Sequence, residues 1–172
     1  MKIRVGFSTT NSWISKTIRW FTKGNISHSY IRFYDDFLDE DLVMHADWPG
    51  VLIEPAALFE ATNIVIEEFE ITDPRLKGSI KYNLRHLRKK YDYWNLAYWA
   101  KVITFKRWIK RKIKKPVENP TRMICVDFCL FILNRAGITN IAYNSLSTTE
   151  FREWFIDNYE EFGWKREIRK VN

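Results

Sequence analysis

The sequence predicts an α+β fold, with strands in the first half of the chain and helices in the second. Up to residue 71, short apolar segments alternate with polar residues and end at turn signals. After Asp73-Pro74, apolar residues recur at three- and four-residue spacing instead. The chain has 172 residues, of which 46% are hydrophobic and 16% aromatic, which suits a well-packed core. We expect residues 1–172 to form a single domain.

Five strands and two short helices are expected in the first half. Ser12 or Asn11 caps a helix that runs to about Phe21, and Pro55 opens a second helix that runs to about residue 61. The turn Asp47-Trp48-Pro49-Gly50 joins two strands as a hairpin. The predicted strands cover residues 2–7, 28–34, 42–46, 51–54 and 63–71.

The second half is expected to contain four helices. Gly137 ends the third of them, and Ser147 with Glu150 forms a capping box for the fourth. The segment 116–120 has a proline at each end and is interpreted as a loop within one domain. The predicted helices cover residues 75–90, 93–115, 122–136 and about 148–158.

The net charge of +7 and a pI near 9.4 favour binding to polyanions such as nucleic acid, anionic lipid or acidic wall polymers. No nucleic-acid recognition motif supports specific nucleic-acid binding. A run of about 18 uncharged apolar residues is lacking, so no transmembrane helix is expected. Lys2 and Arg4 are not followed by an apolar stretch, so we expect synthesis in the cytoplasm without a signal peptide.

The two cysteines, Cys125 and Cys129, are one helical turn apart, a poor geometry for a disulfide, so both are expected as thiols. Cys125 falls in the first turn of a predicted helix, where free N–H groups and the helix dipole favour a thiolate nucleophile. Simple burial of Cys125 is the competing interpretation, because free cysteines are often buried. Cys129 lies among apolar residues and is expected in the core.

The chain has three histidines, and two of them lie on predicted strands. His28 begins a strand after a polar loop, and His45 lies in the next strand. If these strands are antiparallel neighbours, the two rings could lie side by side on one face, and one ring would then orient the other by hydrogen bonding. The alternative is that both are ordinary surface histidines. His86, in a basic helix, is expected to be solvated.

Other chemistries have little support in the sequence. Two cysteines and two histidines could bind zinc, but their spacing matches no common zinc pattern, so no metal is expected. The six glycines are not clustered into a phosphate-binding loop, so no nucleotide cofactor is expected either. The acidic residues of the segment 35–41 are interpreted as a solvated loop.

The order of these features resembles the permuted papain-like superfamily. This superfamily includes the circularly permuted branch of NlpC-type cell-wall peptidases, the YiiX-like proteins and the lecithin:retinol acyltransferase group. Ordinary papain-like enzymes have the cysteine helix first, whereas here the histidine strand comes first. The resemblance extends from Val5 to about Gly137. It implies a permuted papain-like fold, in which an antiparallel sheet bearing the histidines packs against a helix opened by the cysteine.

Several short motifs carry this resemblance. Ser27-His28-Ser29 matches the Ser-His strand and makes His28 the general base, while His45 matches the polar third member of the site. Tyr91-Asp92-Tyr93 matches a Tyr-Asp segment of the YiiX-like branch. Cys125 matches the nucleophile, and its backbone N–H is the expected oxyanion donor. Val126 departs from the serine that often follows the nucleophile in this superfamily.

The resemblance implies a cysteine peptidase or amidase that acts through an acyl-thioester. Peptidoglycan stem peptides are the first expected substrate, and peptidoglycan or another anionic envelope polymer is the expected partner. The alternatives are a lipid acyltransferase or acyl hydrolase, and a non-catalytic structural or binding protein. Because this branch occurs in bacteria and phages, a phage virion and delivery to the cell envelope are both compatible locations, with virion proteins as partners.

The segment Lys101–Lys115 holds eight cations, which exceeds the net charge of the whole chain. Val102, Phe105, Ile109 and Ile113 recur at helical spacing, so the segment is predicted as a basic amphipathic helix. We expect its apolar stripe to pack on the core. Its cations could steer the protein to an anionic substrate or bind an anionic membrane surface.

Overall fold

An eight-stranded sheet organises the protein in the computed structural model, and five α-helices accompany it in the part of the chain that the structure describes. This part comprises residues 2–47, 49–87, 89–91, 122–143 and 145–169. The α+β class predicted from the sequence is confirmed. Within these ranges, none of the helices is long and apolar enough to cross a membrane.

The elements follow one another as strands and short helices, then mainly helices. A 3₁₀ turn, Leu84–His86, follows the third helix. In chain order the elements are β1 Ile3–Thr9, α1 Trp13–Thr22, β2 His28–Asp35, β3 Glu40–Asp47, β4 Gly50–Pro55, α2 Ala56–Thr62, β5 Ile64–Ile71, α3 Arg75–Asn83, β6 Lys90–Tyr91, β7 Arg122–Met123, α4 Cys125–Arg135, α5 Thr148–Asn158 and β8 Lys165–Ile168.

The strand order across the sheet is β7-β6-β4-β3-β2-β1-β5-β8. The six strands from β4 to β8 in this order pair antiparallel, and the two-residue strands β6 and β7 extend one edge, pairing parallel with each other. The pairing of β2 with β3 sets Tyr30 opposite His45, and the pairing of β3 with β4 sets His45 opposite Leu52. The two histidine strands are therefore neighbours, as the sequence argument required.

One face of the sheet, which we call the helix face, holds the main apolar core. Alternate residues of the strands point to this face and pack against α3, α4 and α5. Phe7 shows the packing, since its ring makes edge contacts with Phe69, Phe151 and Phe155 at centroid distances of 5.7–6.0 Å. This layer fixes α4 against β2 and β3.

The opposite face, which we call the polar face, has a smaller apolar cluster. The short helix α2 contributes Phe59, which packs on Tyr30 at a centroid distance of 4.6 Å. Gly6 lies opposite Tyr30 in the β1–β2 pair, and a Cβ there would lie 2.1 Å from the tyrosine Cζ. The missing side chain of Gly6 thus makes room for a fully buried tyrosine ring.

The predicted helix 75–90 is wrong in its second half. The helix ends at Asn83, a 3₁₀ turn follows, and Lys90–Tyr91 forms a short strand between β7 and β4. This segment pairs with the sheet instead of continuing the helix, because Val51 donates its backbone N–H to the carbonyl of Lys89 at 2.9 Å. Gly50 permits this approach, since a Cβ there would lie 2.1 Å from the same carbonyl oxygen.

The remaining elements differ from the sequence predictions mainly at their ends. Helix α4 begins at Cys125 rather than at residue 122, because Arg122–Met123 pairs with β6 as a strand. Strand β8, which was not predicted, pairs with β5. The caps at Ser12 and at Ser147 with Glu150 are confirmed. The predicted helix 93–115 and the loop 116–120 lie outside the described residues.

Candidate active site

His28 and His45 form a hydrogen-bonded pair on the polar face of the sheet. The Nε2 atom of His28 lies 3.0 Å from the Nδ1 atom of His45, and the two rings meet at an interplanar angle of 84°. Both side chains are buried. The antiparallel pairing of β2 and β3 places both residues on this face, and so the predicted side-by-side arrangement of the two rings is confirmed.

Glu54 continues this chain of contacts, although the sequence argument did not identify it. Its Oε1 atom lies 3.0 Å from the Nε2 atom of His45. In the β3–β4 hairpin, His45 pairs with Leu52, so Glu54 lies diagonally across from His45 on the same face. The available signal was the turn Asp47-Trp48-Pro49-Gly50 in the sequence, since the length of a hairpin turn sets the register of its strands.

The Glu54 carboxylate fixes the direction of the hydrogen bonds. An ionised carboxylate only accepts, so we assign the His45 Nε2–H as donor to Glu54. In a neutral ring the Nδ1 atom of His45 is then an acceptor, and the Nε2–H of His28 donates to it. His28 consequently keeps its lone pair on Nδ1, which is the form that a general base requires.

Phe59 supports the pair from helix α2. Its ring centroid lies 5.1 Å from that of His45 and 6.2 Å from that of His28. Tyr30 lies behind Phe59 and donates its hydroxyl to Glu68 at 2.8 Å. The two imidazoles are thus held by packing as well as by hydrogen bonds, which restricts their rotation.

Burial keeps both histidines neutral at neutral pH. It lowers the pKa of His28 to about 4 and that of His45 to about 3, because a buried imidazolium loses its hydration. The neighbouring His28 further lowers the pKa of His45, whereas the charge of Asp47 opposes the shift. Burial, followed by the charge of Asp47, raises the pKa of Glu54.

Cys125 is the first residue of α4 and lies buried on the helix face. Burial raises the pKa of its thiol, and the backbone N–H and hydroxyl of Ser29 and the hydroxyl of Thr148 offset only part of this shift. The thiol therefore lies beside Ser29, the residue that follows His28. The position of the helix start confirms the prediction that Cys125 lies in the first turn, where backbone N–H groups are unpaired.

Cys129 differs from Cys125 in its surroundings. It is fully buried in the core, as predicted, and its Sγ atom contacts the Ser29 Oγ atom at 3.7 Å. Burial strongly raises the pKa of this thiol, with the neighbouring Cys125 adding to the shift. A thiol in this position is a poor nucleophile, because only the thiolate reacts.

The thiol of Cys125 contacts Ser29, and the imidazole ring belongs to the preceding residue, His28. Both groups therefore lie at the start of β2. Within the described ranges, no hydrogen bond joins the two side chains. In unliganded enzymes such bonds are often long, and they tighten when substrate binds.

The prediction that His86 is solvated is wrong. The 3₁₀ turn directs this residue inward, where it is buried with its ring centroid 5.6 Å from that of Phe131. Burial lowers its pKa, and the charges of Lys89 and Arg85 add to the effect. His86 is remote in sequence and in its contacts from the pair on the polar face, so we give it no role in the site.

Three side-chain donors of the site are close enough to consider a metal. The ligand atoms of His28, His45 and Asp47 lie within 4.8 Å of one another. In the assigned tautomer His45 donates to Glu54 and accepts from His28, so neither of its ring nitrogens has a lone pair left for a metal. The Tyr91-Asp92-Tyr93 motif and the segment Lys101–Lys115 fall at or beyond the edge of the described residues, and their predicted roles stay predictions.

Comparison with known proteins does not identify a family. No protein-family model matches the chain, and a search of curated proteins finds no significant match.

Proposed function

We propose that this protein is a cysteine hydrolase with a circularly permuted papain-like fold. In this proposal Cys125 is the nucleophile, His28 the general base, and His45 the residue that orients His28. The observation that carries the proposal is the hydrogen-bonded chain from His28 through His45 to Glu54. It leaves the lone pair of His28 on the Nδ1 atom, at the strand end where a helix-initial cysteine contacts Ser29.

The reaction begins when the Sγ atom of Cys125 attacks the carbonyl carbon of an amide. The thiol proton moves to the Nδ1 atom of His28, and the carbonyl oxygen becomes an oxyanion stabilised by the backbone N–H of Cys125. The C–N bond then breaks as His28 returns the proton to the leaving amine. Water, deprotonated by His28, attacks the acyl-thioester, which releases a carboxylic acid and regenerates the thiol.

The hydrogen-bonded chain of His28, His45 and Glu54, which we call the relay, has an electrostatic role in this reaction. Both partners are neutral before reaction, because burial raises the pKa of the Cys125 thiol and lowers that of His28 to about 4. Proton transfer therefore accompanies attack instead of preceding it as a stable ion pair. When His28 becomes positive, its Nε2–H bond to His45 strengthens, and the carboxylate of Glu54 stabilises the charge.

Peptidoglycan stem peptides are the substrate class that we propose first, because a chain of net charge +7 is attracted to an acidic wall polymer. A lipid acyl hydrolase or acyltransferase is the second candidate. It is favoured by a specific feature of the surface, the exposed tryptophans of α1, which are also relevant to the inference below.

Two measurements test the proposal. Incubation with purified muropeptides should release cleaved stem peptides, and Cys125→Ser should abolish the release while Cys129→Ser retains it. Iodoacetamide should label Cys125 faster than Cys129, and labelling of Cys125 should fall in His28→Ala. Equal, slow labelling of both thiols would contradict the catalytic role. Activity confined to lipid esters or amides would select the second candidate.

A further inference from the structure

Helix α1 exposes two large aromatic side chains that the proposed chemistry does not use. Trp13 is 75% and Trp20 71% exposed. They are seven residues apart, which places them on the same side of a helix. Ser15 is the buried residue of this helix, so α1 lies on the surface with its tryptophans pointing away from the protein. Exposed tryptophans that project together indicate an interaction site.

The charged residues that lie near these tryptophans in the sequence are all basic. Lys16 and Arg19 lie in the helix and Lys23 directly follows it, whereas no aspartate or glutamate precedes Asp35. A cationic helix with exposed tryptophans complements an anionic layer that has an apolar interior. Tryptophan also prefers the level of lipid headgroups, where its ring is apolar and its N–H finds a partner.

The helix is fixed relative to the candidate site. The Ser15 Oγ atom lies 2.8 Å from that of Ser27, the residue before His28. Thr10 and Thr9 extend this hydroxyl network at 2.7 Å from Ser15 and 3.2 Å from Ser27, respectively. A surface that binds α1 would thus lie about one helix diameter, roughly 10 Å, from the start of β2.

We propose that α1 docks the protein on an anionic phospholipid surface. Trp13 and Trp20 enter the headgroup region, and Lys16, Arg19 and Lys23 contact lipid phosphates. The inference depends on the exposure and charge of α1 and is independent of whether Cys125 is a nucleophile. Docking would place the His28 end of the sheet next to the membrane, so it would bring a membrane-attached substrate to the site.

Co-sedimentation with lipid vesicles tests the proposal. The full chain is mixed with vesicles of phosphatidylcholine alone or with 30% phosphatidylglycerol. We expect binding to the anionic vesicles, and at least a tenfold loss of affinity in Trp13→Ala/Trp20→Ala. Lys16→Glu/Arg19→Glu should also lose binding, and binding of the unmodified chain should weaken as salt is raised.

Two control variants keep the test specific. Phe37→Ala/Leu38→Ala removes exposed apolar side chains from the β2–β3 loop and should bind like the unmodified chain. Lys110→Glu/Arg111→Glu alters the basic segment instead. Unchanged binding in the tryptophan variant, loss of binding only in the basic-segment variant, or equal binding to both kinds of vesicle would overturn the proposal. Thermal unfolding followed by circular dichroism verifies that each variant is folded.

Discussion

The two faces of the sheet differ in how they hold polar groups. The helix face is a continuous apolar core in which Cys125 and Cys129 are the reactive groups that we consider. The polar face has a small apolar cluster, and around it lie the histidine pair and a set of ion pairs. The core therefore fixes the position of α4, while burial on the polar face lowers the pKa values of the two histidines.

Glu67 and Glu68 show the same division at two adjacent residues. Both are fully buried, and they point to opposite faces of β5. Glu67 pairs with Arg152 of α5 at 2.6 Å and with Arg166 of β8. Glu68 accepts from Tyr30 at 2.8 Å and pairs with arginines on its own side. Paired buried carboxylates of this kind connect each face to the elements that cover it.

The largest effect is expected when the proposed base on the polar face, His28, is removed from the thiol on the helix face, Cys125. His28→Ala should lower the rate of amide hydrolysis by about 10⁴-fold, because the thiol then lacks a base. Cys129→Ala, which removes a thiol from the same helix, should leave the rate within a fewfold of the unmodified protein. Turnover of a muropeptide substrate measures both. An active His28→Ala protein would show that the polar face does not serve the thiol.

Loss of apolar packing on the polar face should have the next largest effect, which is on the free energy of unfolding. Phe59→Ala should reduce the free energy of unfolding by about 4 kcal/mol, because it opens a cavity beside His45 and Tyr30. Leu58→Ala, one residue earlier and exposed on the same helix, is the matched control and should change it by less than about 0.5 kcal/mol. Urea unfolding measures both values. Similar losses in the two variants would mean that α2 does not support the pair.

Acid should lower the free energy of unfolding through the two buried histidines of the polar face. An unfolded histidine takes up a proton near pH 6.5, whereas the folded pKa of His28 is about 4 and that of His45 about 3. The unfolded state therefore binds more protons in this window. The free energy of unfolding should fall as pH drops below about 6.5, by about 1.4 kcal/mol per pH unit for each histidine.

Glu54 opposes part of this fall, because a carboxyl with a raised pKa takes up its proton earlier in the folded state. Urea unfolding at pH 7, 6, 5 and 4 measures the slope. His28→Gln/His45→Gln should show a smaller slope than the unmodified chain. Equal slopes would mean that the two histidines are not buried as neutral rings.

The sequence predicted the parts of the site that depend on local patterns. The Ser12 cap, the Ser147–Glu150 capping box and the place of Cys125 in the first turn of α4 follow from residue type and spacing. The helix itself starts at Cys125 rather than at residue 122, because Arg122–Met123 pairs with β6. The inward position of His86 and the strand Lys90–Tyr91 depend on contacts with distant segments, so local spacing did not reveal them. Glu54 is close to His45 in sequence, and it was missed because its contact with His45 depends on the register of the β3–β4 hairpin.

Substitution of Glu54 should have the smallest effect on the rate of hydrolysis, but it tests most directly whether the proposed proton relay extends beyond His45. Glu54→Gln keeps the size of the side chain and removes the charge, so we expect the rate to fall about tenfold while the fold is retained. An amide can donate as well as accept, and it no longer fixes the tautomer of His45. Glu54→Asp should recover part of the rate if charge is what matters. A normal rate in Glu54→Gln would show that His45 orients His28 without the carboxylate, and the relay would then end at His45.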